Sequence, residues 1–150
     1  INFFYHSQLN TTLDKAVNYQ KKNYYDGQWS SEYEQLLIPL KGWLAGGDWK
    51  TVAWNNALTY GPIFSENMVA KFSQITNETF LIIGTRDKTG PGRGWLKPGV
   101  TRTLGDYKML GKHAQSLIKN STLIELDGLG HMPMYEDYKT FNKAFNQVLN

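Results

Sequence analysis

Two largely apolar runs, each followed by a polar loop, are the feature that most constrains how this chain folds. Residues 80–83 form the first run and precede Asp87, whereas residues 123–126 form the second run and precede His131. Runs of this length are typical of parallel strands that are covered on both faces. Because ligands of parallel sheets bind beyond the carboxyl ends of the strands, Asp87 and His131 are the first candidates for a functional site.

The chain divides near residue 76 into a helical region and a strand-containing region. Residues 77–150 alternate as strand, long loop, helix, strand and helix, with a glycine-rich loop over residues 88–105. Parallel strands at about 79–83 and 122–126 would leave both edges of a small sheet open. We therefore expect additional strands from a missing N-terminal segment, a second chain or a swapped partner. The start at Ile1 rather than Met likewise indicates a processed or truncated piece.

Helical patterns occupy residues 1–76. Thr11 or Thr12 is placed to cap the first helix, and Pro39 is expected to kink the second helix or to delay its start. Gly61-Pro62 is expected to stop the third. The predicted helices cover about residues 13–24, 31–44, 49–60 and 65–72.

Aromatic residues are dense in the helical region, which holds four of the five tryptophans. One interpretation is an ordinary aromatic core. The other is a lid whose underside lines an apolar pocket, with the polar tips of Tyr and Trp placed to orient a ligand. On the second interpretation, the candidate substrate-binding residues are Tyr25, Trp29, Trp54 and Tyr60.

Positive charge is concentrated in residues 86–119, which contain eight Lys or Arg against two acids, although the whole chain carries only +3. This is either a solvated loop and helix face or a surface that attracts an anionic substrate or partner. Aromatic residues are sparse within it, which disfavours nucleic acid. The cations are Arg86, Lys88, Arg93, Lys97, Arg102, Lys108, Lys112 and Lys119.

Several classes of protein are disfavoured by the composition. The chain lacks cysteine, which excludes disulfides and thiol chemistry, and no apolar stretch approaches the length of a membrane span. No group of His, Asp and Glu has metal-ligand spacing, and Gly90–Gly94 matches no phosphate-binding fingerprint. We therefore expect no cofactor, no nucleic acid and no membrane span, whereas cytoplasmic and periplasmic or secreted locations both stay open.

His131 is the candidate general base, since it lies in a glycine-rich loop just before Pro133. A histidine base needs a carboxylate on its other ring nitrogen, which fixes the tautomer and stabilises the imidazolium. Asp87 is the preferred candidate for that carboxylate. Asp127 is the rival, but it lies only four residues before His131.

These motifs resemble the C-terminal third of the α/β-hydrolase superfamily, in which the acid and the histidine follow the nucleophile in this order. Gly84-Thr85-Arg86-Asp87 after an apolar run is similar to the family's acid motif. Gly128-Leu129-Gly130-His131-Met132-Pro133, followed by Glu136, is similar to its histidine loop. Residues 1–76 resemble the helical cap of the family. The resemblance implies an α/β fold in which a helical cap precedes the strand–helix–strand–helix part of a parallel sheet.

The resemblance also implies a function. It predicts hydrolysis of a carboxylic ester or related acyl bond of a small molecule by a nucleophile–His–acid triad, to which this chain supplies His131 and Asp87. The Gly-x-Ser-x-Gly motif of the nucleophile is absent from the 150 residues, so we expect the chain alone to be inactive. An epoxide hydrolase or dehalogenase with an Asp nucleophile, a proline-type aminopeptidase and a non-catalytic ligand-binding domain are the alternatives. In the epoxide hydrolase, a tyrosine of the cap such as Tyr24, Tyr25 or Tyr60 would polarise the epoxide oxygen.

Overall fold

The structure is a computed structural model that describes residues 1–101 and 103–149. The chain forms two compact units. One unit consists of Ile1–Lys22 with Gln28–Asn67, and the other of Asn23–Gly27 with Met68–Asn150. Residues 23–27 and 68–76, which the sequence patterns group with the helical region, therefore belong to the same compact unit as the strands.

The first unit is helical. Its aromatic packing joins the first helix to the last, because the Phe4 ring stacks on Tyr60 with centroids 4.4 Å apart. Ala53 and Ala57 of the last helix are fully buried. The described helices are α1 (Asn2–Leu9), α2 (Leu13–Asn23), α3 (Ser31–Gln35), α4 (Ile38–Ala45) and α5 (Trp49–Ser65).

Local signals explain most of these helix boundaries. Thr12 caps α2 as predicted, since its Oγ1 accepts the N–H of Lys15 at 3.2 Å. Pro39 lies in the first turn of α4, where its missing N–H costs nothing, so the predicted second helix is divided into α3 and α4. The sequence patterns did not predict α1.

The predicted stop at Gly61-Pro62 is wrong, because α5 continues to Ser65. A proline inside a helix removes one hydrogen bond and crowds the preceding turn. Packing beyond the proline offsets this cost, because Phe64 stacks on Phe4 with centroids 5.7 Å apart. Tertiary contact thus overrides the local propensity.

The second unit contains a parallel sheet. In the described part of the chain, the sheet has two strands, β1 (Thr79–Gly84) and β2 (Ser121–Leu126). The register runs from Thr79↔Ser121 to Gly84↔Leu126, so both strands end at the same level. The α-helices of this unit are α6 (Tyr107–Leu117), α7 (Pro133–Glu136) and α8 (Tyr138–Leu149), and short 3-10 helices cover Met68–Gln74 and Arg93–Trp95. The predicted fold class, helices followed by strand–helix–strand–helix with a parallel sheet, is confirmed.

Small residues form the contacts between these helices and the sheet. A Cβ on Gly111 of α6 would lie 3.2 Å from Leu123 Cδ1 and 3.4 Å from Ile83 Cγ1, so this helix packs closely on both strands. In α8 the buried residue is Ala144, whereas Tyr138 is 66% exposed. Tyr138 is exposed because a sheet of two described strands covers only a narrow stripe of the helix.

Gly84 at the end of β1 permits the close approach of the histidine loop. A Cβ at this position would overlap the carbonyl oxygens of Leu129 and Gly130. We predict that Gly84→Ala destabilises the full-length protein by about 2 kcal/mol or more, because backbone atoms must move to accommodate the methyl group. Urea denaturation would measure the loss.

Gly61→Ala is the matched control for this substitution. Gly61 lies within α5, and its added Cβ would meet no described atom within 4 Å. Alanine there should increase stability by up to about 1 kcal/mol through its higher helix propensity. Equal stability of the two variants would contradict the close packing of Gly84 against the histidine loop.

Candidate active site

Backbone hydrogen bonds hold the loops that follow β1 and β2 against each other. Asp87 N–H donates to Gly84 O at 3.1 Å, which closes a tight turn after β1. Arg86 N–H donates to Leu129 O at 2.9 Å, which joins the acid loop to the histidine loop. The side chains that follow each strand therefore meet at one edge of the sheet.

Asp87 and His131 form the predicted hydrogen bond, with Oδ2 and Nδ1 2.8 Å apart. Asp87 is buried with 8% of its surface exposed, whereas 36% of the His131 side chain is exposed. The rival acid Asp127 is exposed and instead accepts the Thr85 hydroxyl at 3.0 Å. Thr85 Oγ1 in turn accepts the N–H of Gly128 at 2.9 Å, so Asp127 stabilises the turn of the histidine loop.

The environment of Asp87 favours its ionised form. Burial alone raises the pKa of this carboxyl, but hydrogen bonds from His131 and from the backbone and side chain of Thr89 outweigh it and hold the pKa below its usual range. An ionised carboxylate only accepts hydrogen bonds. The proton of a neutral imidazole is therefore assigned to Nδ1, which leaves the lone pair of Nε2 free to act as a base.

Thr89 is a site residue that the sequence patterns did not identify. Its N–H donates to Asp87 Oδ1 at 2.7 Å, and its Oγ1 lies 2.9 Å from His131 Nδ1. Thr89 is 8% exposed. The available signal was its place two residues after an aspartate, where Asp side chains commonly bond to the backbone in an Asx turn.

The guanidinium of Arg86 binds three segments of the second unit together. Nε donates to Gly128 O at 2.9 Å, Nη1 donates to Tyr24 O at 3.3 Å, and Nη2 forms an ion pair with Glu136. Glu136 also accepts the N–H of Gly130. The residue directly before His131 is thus fixed by a carboxylate that Arg86 holds in place.

The aromatic ring of Tyr24 contacts the histidine. Its ring centroid lies 4.5 Å from that of His131, with the planes tilted by 44°. Its neighbour Tyr25, the predicted substrate-binding residue, is only 1% exposed and packs edge-on against Tyr24 with ring centroids 5.9 Å apart. A role of Tyr25 in binding substrate stays a prediction.

The remaining candidate binding residues lie in the first unit. Trp29 packs edge-on against Tyr33 with centroids 6.1 Å apart, and Tyr60 stacks on α1 through Phe4. Trp54 is 41% exposed, and its ring lies edge-on to Tyr5. A role of Trp29, Trp54 and Tyr60 in binding substrate stays a prediction.

The basic loop after Asp87 is closed at its base. Gly105, at φ 77°, packs against the backbone of Lys88 and Thr89, where a Cβ would overlap the carbonyl of Lys88. The Arg93 guanidinium donates to that same carbonyl. Arg102, another cation of this segment, lies outside the described residues. An anionic partner for the loop stays a prediction.

A solved structure matches nearly the whole chain. It is the crystal structure of a probable hydrolytic enzyme from Pseudomonas aeruginosa PAO1, with 33% sequence identity and a TM-score of 0.92 over 98% of this chain. The chain spans 47% of that protein, or about half its length. No protein-family model and no curated protein matches this chain.

The described part of the chain contains neither a cluster of metal-ligating side chains nor a membrane-spanning helix. Within residues 1–101 and 103–149, no group of three or more His, Asp or Glu side chains is arranged to hold a metal ion. In the same ranges, no helix has both the length and the apolar character required to cross a bilayer.

The lowered pKa of Asp87 predicts an acid dependence of stability. Folding favours the ionised carboxylate, so this contribution is present above the ordinary pKa of 3.8 and is lost as the pH falls through the folded-state value. Asp87→Asn should therefore reduce the change in the free energy of unfolding between neutral and acidic pH. Urea denaturation over a pH series would measure it.

The exposed Asp127 provides the control for this pH series. Asp127→Asn should retain most of the acid dependence of the natural protein, because Asp127 hydrogen-bonds a threonine rather than the imidazole. If Asp87→Asn and Asp127→Asn show the same pH profile of stability, the Asp87–His131 bond does not favour ionisation in the folded state.

The Arg86–Glu136 ion pair should stabilise the fold more than an exposed ion pair does. The side chains of Arg86 and Glu136 are only 21% and 7% exposed, so Glu136→Gln leaves a partly buried cation without its counter-charge. We predict that the free energy of unfolding falls by about 1–3 kcal/mol. This is less than for a wholly buried ion pair, because water still reaches Arg86. Chemical denaturation of the full-length protein measures this loss.

The exposed pair Lys41–Glu34 is the comparison within the same chain. Its side chains are 39% and 54% exposed, so Glu34→Gln should cost no more than about 1 kcal/mol. A larger loss for Glu34→Gln than for Glu136→Gln would show that Arg86 does not hold the histidine loop.

Proposed function

We propose that this chain is the cap and C-terminal core portion of an α/β-hydrolase that cleaves a carboxylic ester or related acyl bond. The observation that carries the proposal is the 2.8 Å hydrogen bond between Asp87 and His131 Nδ1, formed beyond the ends of adjacent parallel strands. The similarity to a probable hydrolytic enzyme supports the same conclusion.

In the proposed reaction, His131 moves protons and Asp87 orients it. Nε2 removes the proton of a nucleophilic hydroxyl as the oxygen attacks the acyl carbon, and the imidazolium then gives that proton to the leaving alcohol. Water hydrolyses the acyl-enzyme in a second step that again uses His131 as the base. The ionised Asp87 stabilises the imidazolium in both steps.

The nucleophile and the oxyanion-stabilising groups are proposed to come from sequence outside these 150 residues. That sequence would be an N-terminal core segment of the same precursor, a second chain or a swapped partner, and it would extend the sheet of β1 and β2. The chain spans about half of its structural neighbour, which is consistent with a segment of this size. The chain alone is accordingly proposed to be inactive.

An enzyme with an Asp nucleophile is the second candidate, and the position of Tyr24 favours it. A phenol whose ring lies 4.5 Å from the imidazole centroid could polarise an epoxide oxygen while His131 activates water. Single-turnover hydrolysis in ¹⁸O-labelled water distinguishes the two. Label enters the protein carboxylate only when an Asp nucleophile is used.

We predict that His131→Ala and Asp87→Asn each lower kcat for ester hydrolysis by about 10³–10⁴-fold, because the base is lost or held in the wrong tautomer. The assay uses the full-length protein with a panel of p-nitrophenyl esters. A fluorophosphonate probe should label the nucleophile of the natural protein.

His113→Ala is the matched histidine control, since His113 lies exposed on α6. Its kcat should be unchanged. Ester turnover by the 150-residue chain alone that His131→Ala abolishes would contradict the need for an outside nucleophile. If the full-length protein neither reacts with the probe nor hydrolyses any ester, the ester-hydrolase proposal is wrong.

A further inference from the structure

The ring of Tyr24 packs on the imidazole that carries out the proposed proton transfers. The two ring centroids are 4.5 Å apart, and the ring planes are tilted by 44°. This distance lies at the short end of the range of about 4.5–7 Å that aromatic pairs prefer. Both residues belong to the compact unit that contains the strands, so the contact lies within one unit.

The backbone of Tyr24 is held against the histidine loop. Its carbonyl oxygen accepts a hydrogen bond from Arg86 Nη1 at 3.3 Å. Gly130 approaches the same oxygen so closely that a Cβ would overlap it, and Gly130 directly precedes His131. The chain positions that carry the two rings are therefore fixed to each other by backbone contacts.

The residues after Tyr24 also restrict its ring. Tyr25 is 1% exposed and packs edge-on against Tyr24 with centroids 5.9 Å apart. Asp26 and Gly27 then adopt the left-handed region, at φ 52° and 82°, which Asp and Gly accept more readily than most residues. The Tyr24 ring, followed by a tight turn, therefore contacts both a buried ring and the imidazole.

An aromatic ring at this distance favours the protonated imidazole over the neutral one. The face of the ring carries partial negative charge, which attracts a cation that lies within about 6 Å of the ring centroid. In the proposed reaction, His131 is an imidazolium only after it has taken the proton of the nucleophile. The Tyr24 ring therefore stabilises the transition state more than the resting state, which is the condition for a faster reaction.

The charged groups that bind the imidazole or its loop do not depend on the side chain at position 24. Asp87 is bound to Nδ1 of His131, Arg86 is paired with Glu136, and Asp127 accepts a hydroxyl within the turn of the histidine loop. The His131 side chain is 36% exposed, so water weakens the attraction between ring and imidazolium. The contribution of the Tyr24 ring can thus be measured with these charges unchanged.

We propose that Tyr24 is a positioning residue that acts through its ring, which holds the imidazole of His131 against Asp87 and stabilises the imidazolium. This inference rests on the proposed function, in which His131 is the base. It differs from the epoxide alternative, in which the Tyr24 hydroxyl would contact the substrate, because here the hydroxyl is dispensable.

The test compares Tyr24→Phe with Tyr24→Leu in the full-length protein. Phenylalanine keeps the ring and removes the hydroxyl, whereas leucine removes both. We expect Tyr24→Phe to retain the kcat for ester hydrolysis. Tyr24→Leu should lower kcat about threefold at unchanged KM, the effect of losing one cation–π contact in the transition state.

The pH profile and a control variant accompany this comparison. In Tyr24→Leu, the acid limb of the kcat/KM profile should move to lower pH by about half a pH unit, because the imidazole binds its proton less tightly. Tyr138→Leu is the control, since Tyr138 is 66% exposed on α8. It should change neither kcat nor the profile.

Fluorinated phenylalanines at position 24 separate the electrostatic effect of the ring from its packing. Fluorine withdraws negative charge from the ring face and changes the ring shape little. We expect kcat to fall stepwise as fluorine atoms are added, from the value of Tyr24→Phe towards that of Tyr24→Leu. The titration of the His131 ring, followed by ¹H NMR without substrate, should move to lower pH along the same series. This series tests the proposal even if Tyr24→Leu does not fold.

Two results would overturn the proposal. One is a kcat for Tyr24→Phe as low as that for Tyr24→Leu, which assigns the role to the hydroxyl. The other is a constant kcat and a constant His131 titration across the fluorinated series, which leaves packing alone. The proposed function fails separately, if His131→Ala retains its turnover. The titration of His131 decides the role of Tyr24 in either case, because it needs no substrate.

Discussion

The parallel pairing of β1 with β2 is the constraint on which the site depends. Because Gly84 lies opposite Leu126 in the register, the acid loop and the histidine loop begin at the same level. A shift by one residue would turn every side chain of a strand to the other face and would move one loop along the sheet. Gly84 adds a second condition, since its lack of a side chain lets the carbonyls of the histidine loop pass close to the end of β1.

The side chains of Arg86 and Asp87 carry opposite charges but bind different groups. Arg86 and Asp87 are neighbours in the chain, yet Arg86 is bound to Glu136 and to backbone carbonyls, whereas Asp87 is bound to His131 and Thr89. The carboxylate of Asp87 therefore faces the imidazole. A guanidinium on the same carboxylate would compete with the developing imidazolium for its charge, so the position of Glu136 also protects the proposed chemistry.

The sequence predicted those parts of the fold and of the candidate site that local patterns encode. The apolar runs located both strands, and their polar endings located Asp87 and His131. The contacts of Thr89 and Arg86 with the histidine loop were missed because those partners lie 42 residues or more away, and only the Asx turn of Thr89 with Asp87 is a local signal. Tyr24 and Tyr25 were both candidates, because composition does not tell which of two adjacent rings reaches the imidazole. The extension of α5 past Pro62 was missed because aromatic packing with α1 supports it.

The short segment of residues 23–27 begins at the last residue of α2 but belongs to the unit that contains the strands. The carbonyl of Tyr24 accepts from Arg86, and Gly130 packs against the same carbonyl so closely that a Cβ would not fit. A helical segment that could be exchanged between proteins therefore does not have the same boundaries as the helical region of residues 1–76. An exchange of helices between related proteins would have to leave these five residues in place, because the Tyr24 carbonyl contacts both Arg86 and the histidine loop.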